Sequence, residues 1–196
     1  MRLTKMRQRM AEAKVDGAII MEPNNRRYLS GFTGSAANLL VTSDQALLVT
    51  DFRYIEQATA QAPAFKIVKS AGGTSLQPLV DLIGGMKLRR VAFESDYLVF
   101  DGYNYLREAL GAEVLVPLKG IVEGIRQIKD QSEIELIHKA QSITEQALEK
   151  TLPLIKPGVS ERAIALELET WMRRLGADKT RSEEHTSELQ SPMYLV

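Results

Sequence analysis

The sequence predicts a three-layer α/β domain built on a mixed sheet, followed by the opening helices of a second, incomplete domain. Three observations carry this reading. Short apolar runs bounded by Gly, Pro, Asn, Asp or Ser alternate with segments of helical period. Two neighbouring runs around "VTSDQALLV" read as a hairpin, which makes the sheet mixed rather than wholly parallel. Beyond Pro117 the strand signal stops and only amphipathic helices follow.

The elements follow in order. Leu3, Met6, Met10 and Ala13 recur at helical spacing and predict a first helix. Its basic, acid-poor composition is that of a transit peptide, but Gly17 and the run Ala18 to Met21 follow at once and leave no room for a cleavage site. Ala18 to Met21 is the first strand, and further strands are predicted at Ala37 to Val41, Ala46 to Thr50, Phe65 to Lys69, Arg90 to Glu94 and Glu113 to Val116. Helices are predicted over "DFRYIEQATAQA", over "SLQPLVDLIGG", whose glycine pair suits a left-handed cap, and over "DGYNYLREALG", with Asp101 as N-cap and Gly111 just past the end. "AGGTS" at 71–75 reads as a loop into a helix N-terminus. The segment "LKGIVEGIRQIKDQ", with two glycines and mixed charge, marks the boundary between a first domain at 1–121 and a second at 122–178. There Asp130 and Glu133 form a capping-box pattern ahead of the stripe Ile134, Ile137, Ala140, Ile143 (or Ala147) and Leu148. "IKPGVSE" breaks that helix, and Ser160 caps another with the stripe Ile164, Leu168, Trp171, Met172 and Leu175, ended by Gly176.

Composition narrows the function classes. The 196 residues carry 25 cationic and 25 anionic side chains, so the basic excess that phosphate-backbone binding needs is missing, and nucleic acid is not an expected partner. The chain has no cysteine, which excludes disulfides, thiolate metal sites and cysteine nucleophiles and fits a reducing compartment, with the cytoplasm as the expected location. No apolar run approaches membrane-spanning length, so no membrane partner is expected.

Chemistry-bearing patterns are few. His138 stands alone on a helix, the glutamates of the two long helices fall on their polar sides, and neither a phosphate loop nor a nucleophile elbow follows any strand. No metal ligand set and no catalytic residue can be drawn. One constellation rises above this background. "NNRRYLSGFTGSAANLLV" sets Tyr28, Phe32, Thr33, Gly34 and Ser35 between strands, and "LLVTDFRYIEQA" sets Asp51, Arg53 and Tyr54 where a strand becomes a helix. Small residues allow close approach of a partner, and an arginine with aromatics can hold a peptide or a carboxylate. The same residues also suit buried aromatics and an Asp51–Arg53 helix cap, the more common arrangement.

The blocks "NRRYLSGFTGS", "LLVTDFRYIEQA", "IRQIKDQSEIELIHKAQSITEQAL" and "IKPGVSERAIALELETWMRRLGAD", in this order and spacing from Leu3 to Asp178, closely resemble the amino-terminal part of bacterial Xaa-Pro aminopeptidases and dipeptidases of the creatinase/prolidase superfamily. The resemblance implies a creatinase-like N-terminal domain followed by the truncated start of a pita-bread domain. It implies hydrolysis of the bond preceding proline in peptides by two divalent metal ions, usually Mn2+, held by aspartates, a histidine and glutamates that would all lie beyond Asp178. The fragment itself is therefore expected to be inactive and to bind no metal. The resemblance also implies a homodimer in which Phe32, Thr33, Gly34 and Ser35 form a loop reaching a neighbouring active site, with Arg53 as a weaker candidate for a substrate carboxylate.

"RSEEHTSELQS" resembles the translation of a common sequencing-adapter oligonucleotide, so 179–196 are expected to be a non-native tail and His185 carries no metal assignment. Two alternatives stay open: a fragment of a creatinase-type amidinohydrolase, and a non-catalytic dimerisation or binding module.

Overall fold

A computed structural model describes residues 2–70 and 76–178. Its order is α1 (Arg2–Glu12), β1 (Gly17–Ile20), α2 (Pro23–Ser30), β2 (Ala37–Thr42), β3 (Ala46–Thr50), α3 (Ile55–Gln61), β4 (Lys66–Lys69), α4 (Gln77–Gly85), β5 (Val91–Glu94), α5 (Phe100–Leu110), β6 (Leu115–Leu118), α6 (Glu123–Arg126), α7 (Gln131–Thr151) and α8 (Glu161–Arg174). The six strands form one sheet in the order β4-β3-β2-β1-β5-β6. The β2 strand is antiparallel to both its neighbours, and the other pairs are parallel, so the sheet is mixed as predicted.

The period of two along the strands builds two cores. Ala18 and Ile20 of β1, Leu39 and Val41 of β2 and Leu48 of β3 pack on one face with Met6 and Met10 of α1, Leu29 of α2, Ala58 of α3 and Ile125 of α6. Ile19, Leu40, Leu47, Val91 and Phe93 pack on the other with Leu79 and Ile83 of α4 and Leu106 of α5. Every residue of β1, β2 and β3 is buried, as expected for strands covered on both faces. Each fully buried Leu or Ile contributes roughly 1.5–3 kcal/mol. The two edge strands differ: β4 reads Lys-Ile-Val-Lys with both lysines exposed, and β6 carries Pro117.

The structure departs from the sequence reading at four places. Helix α2 occupies 23–30, where no helix was predicted; Pro23 sets its first turn, and the Glu22 carboxylate caps it by accepting from the Asn25 N–H. Helix α5 is capped at Val99 rather than Asp101, which sits in its first turn. The glycine pair of α4 stays helical, and the left-handed position falls on Lys87, with φ 55°. Finally, the chain divides into compact units between Ile128 and Lys129, not at 121. The reason is α6, whose Ile125, together with Val122, lies in the core of the first unit.

The second unit is the helix pair α7 and α8. Asp130 accepts from the Glu133 N–H and Glu133 from the Asp130 N–H, the predicted capping box, and Ser160 caps α8. Among the described residues no helix is long and apolar enough to cross a membrane. The predicted loop at 71–75 and the predicted tail at 179–196 lie outside the described residues.

Candidate functional site

Because β2 runs against β1 and β3 while β1 and β5 run together, the carboxyl ends of β1, β3 and β5 and the amino end of β2 share one edge of the sheet. Gly31 to Ala36 enters β2 at this edge, and Asp51 to Tyr54 leaves β3 there. In open α/β sheets such an edge is where loops hold ligands.

The candidate residues gather around Tyr54. Gly31 ends α2 with φ 80°, and a Cβ there would lie 2.9 Å from the Gln61 carbonyl oxygen, so glycine is required. Phe32 turns inward, only 1% exposed, and meets the Tyr54 ring edge-on with centroids 5.8 Å apart. Gly34 passes so close to both rings that a Cβ would collide with Phe32 and lie 2.8 Å from Tyr54 Cδ1. Ser35 Oγ lies 2.8 Å from the Tyr54 hydroxyl at the surface. The Thr33 N–H and hydroxyl donate to Gln61 Oε1 at 3.0 and 3.1 Å, and Gln57 donates to both residues.

Arg53 donates from Nε and Nη2 to the two carboxylate oxygens of buried Asp51, at 3.0 and 2.7 Å. Asp51 also accepts from the Arg53 N–H and so caps the 3₁₀ turn Phe52–Tyr54. This hydrogen bonding holds the Asp51 carboxyl below its usual range and raises the Arg53 guanidinium. Of the five candidates, Thr33, Ser35 and Arg53 are exposed, whereas Phe32 and Gly34 are buried supports.

Two buried polar features went unread in the sequence. The first is Arg26 on α2, 5% exposed. Its Nη1 donates to the carbonyls of Ala37 (2.7 Å) and Met21 (3.3 Å), and its Nη2 to those of Gly34 (2.9 Å) and Ser35 (3.3 Å). Burial lowers its pKa, opposed by Tyr97, Glu22 and Glu94. The second is a network around Asn25, whose Nδ2 donates to Glu94 Oε1 (2.7 Å) and Glu123 Oε1 (2.6 Å) while its Oδ1 accepts from Arg126 (2.8 Å). Glu94 also accepts from the N–H groups of Met21 and Glu22. Its burial raises its pKa, against the pull of those three donors. A signal for α2 did exist: Arg26, Leu29 and Ser30 share the helical period, which turns Arg26 inward and leaves Arg27 out. Among the described residues there is no group of three or more His, Cys, Asp or Glu that could hold a metal ion.

Residues 2–128 match the Creatinase/Prolidase N-terminal domain. The chain belongs to this family. Residues 135–187 match metallopeptidase family M24, a match that runs into the stretch read above as a non-native tail. Among creatinase/prolidase relatives, the chain is 37% identical over 180 residues to an uncharacterized peptidase of Bacillus subtilis, covering 92% of this chain and 51% of that protein. It is similar to the solved Xaa-Pro dipeptidase from Bacillus anthracis, with a TM-score of 0.85 and 36% identity over 91% of this chain and 50% of that one. The solved N-terminal domain of the cytoplasmic peptidase PepQ from Mycobacterium tuberculosis matches 64% of this chain and 98% of its own, at 35% identity and a TM-score of 0.58. The chain thus spans about half the length of the full-length relatives it matches.

Proposed function

We propose that this chain is the amino-terminal part of a metal-dependent exopeptidase that hydrolyses the Xaa-Pro bond. The observation that carries this reading is the succession of two family matches, N-terminal domain then M24, along a chain half as long as relatives named Xaa-Pro peptidases. The Xaa-Pro bond is a tertiary amide without an N–H, so an enzyme specialised for it cannot rely on that donor and must grip the substrate elsewhere.

In this reading the first unit grips and the chemistry lies in the remainder of the protein. Thr33 and Ser35 offer hydroxyls, and Arg53 keeps Nη1 outside its fork with Asp51, where a peptide carboxylate can bind. The loop serves a neighbouring subunit in a cytoplasmic homodimer. When bound by the remainder of the protein, two divalent ions, Mn2+ by the family's habit, supply the activated water. The chain alone is inactive.

The test has two arms. The purified chain, incubated with Mn2+ and an Xaa-Pro dipeptide, releases no proline; turnover would refute the claim of inactivity. Residues 2–178, exchanged for the matching half of the B. anthracis dipeptidase, give a chimera that does release proline. A folded but inactive chimera would sink the peptidase reading and leave the binding-module alternative.

A further inference from the structure

We propose that Arg26 is the positioning residue for the Phe32 to Ala36 loop and thereby sets how Thr33 and Ser35 meet substrate; the substrate part of this claim rests on the reading above. A buried guanidinium is costly, and where only stability is needed an apolar side chain of similar volume serves as well or better. Among the described residues Arg26 has no carboxylate partner in direct contact to offset that cost. Its two terminal nitrogens spend four bonds on four carbonyls, those of Met21, Gly34, Ser35 and Ala37. Its Nε, also buried, has no partner. Three of the four acceptors belong to the loop or to the first residue of β2 after it. The carbonyl between them, that of Ala36, accepts from the Thr50 hydroxyl at 2.5 Å. Four successive carbonyls from Gly34 to Ala37 are therefore fixed by two side chains.

This is a device for geometry. A planar fork can reach several carbonyls spread around it, whereas the ammonium of lysine presents its donors from a single atom and cannot span them. The carbonyls fix the loop backbone on its inner side, and the backbone sets Ser35 Oγ beside the Tyr54 hydroxyl on the outer side. The Glu22 and Glu94 carboxyls lie within electrostatic reach of the guanidinium, while its hydrogen bonds stay committed to the loop.

The test separates the two parts of the claim. In the 196-residue chain, Arg26→Lys is expected to speed amide hydrogen exchange across residues 33–37 by about tenfold while β5 and α4 exchange as before. Unchanged loop exchange, or equal acceleration throughout the sheet, overturns the positioning role. Arg26→Met, which keeps the apolar stem and removes all donors, supplies the same comparison should the lysine variant fold poorly. In the chimera described above, Arg26→Lys is expected to raise KM for an Xaa-Pro dipeptide about tenfold with kcat held within about twofold, because a displaced loop weakens binding without touching the reacting atoms. A merely structural defect lowers kcat through loss of active enzyme and leaves KM alone, and that result overturns the claim. A folded chimera that is inactive with the unmodified segment refutes the peptidase reading instead, and with it the substrate role, whatever the exchange shows.

Discussion

The two units of this chain obey the same local rules and reach opposite states of burial. In the first, every residue of β1, β2 and β3 is buried. In the second, α7 buries only Ala147 and Thr151, and α8 buries no residue at all. Yet the second unit has the better local signals: a complete capping box at Asp130 and Glu133, a Ser160 cap and two one-sided stripes. Capping and periodicity specify where a helix begins and which face is apolar; they say nothing about whether that face is covered. Isolated helices are marginal in water, and tertiary packing supplies most helical stability. The first unit draws on that source and the described part of the second scarcely does.

Substitutions can break or sharpen this contrast. The largest effect is expected for Leu39→Ala in β2, which should cost about 2–5 kcal/mol in urea unfolding, whereas Leu136→Ala on α7, 67% exposed, should change stability by less than about 0.5 kcal/mol. Equal losses would erase the contrast. Asn25→Ala is next: it strips partners from Glu94, Glu123 and Arg126 at once and should cost the first unit about 1–3 kcal/mol. A loss below the scatter of the urea midpoint would show those groups to be satisfied by water.

Asp130→Ala removes the α7 cap and should cost about 0.5–2 kcal/mol, confined to the second unit. Trp171, the only tryptophan and a residue of α8, reports that unit alone by fluorescence. A shift in the unfolding of the sheet as well would show the units to be coupled. The smallest effect is pH dependence. The folded pKa of Glu94 is raised, so its ionisation costs nothing below the ordinary value of 4.5 and the cost is fully present above the raised value. The stability of the first unit should therefore fall as pH rises through that window, and Glu94→Gln should flatten the fall. Asp51, whose folded pKa is lowered, acts in the opposite sense and loses its contribution as pH drops below 3.8. A midpoint that rises with pH between these values and neutrality would reverse the assignment for Glu94.

The strands were legible because they are apolar runs between turn residues, and the mixed sheet because one turn joins its strands too closely for a crossover. Helix α2 was hidden by its composition: "NNRRY" looks like a loop when Asn25 and Arg26 are in fact its buried face. The aromatic half of the candidate site was legible as types, since Phe32 and Tyr54 are large and flank small residues. Their edge-on meeting was not, nor was the Asn25 network, whose partners stand 69, 98 and 101 positions away. Hydrogen bonds over such separations leave no periodic trace. The cap at Asp51 could be read because its partner is two residues on.

The rims of the sheet carry one last consequence. With exposed lysines at both ends of β4 and a proline inside β6, neither outer strand offers a clean row of amide groups to an incoming strand. Joining two molecules by continuing the sheet would bring lysine against lysine on one side and meet a missing donor on the other. The fold thus protects itself against fibre-like stacking, and whatever assembly it enters must be made through its loops and helices.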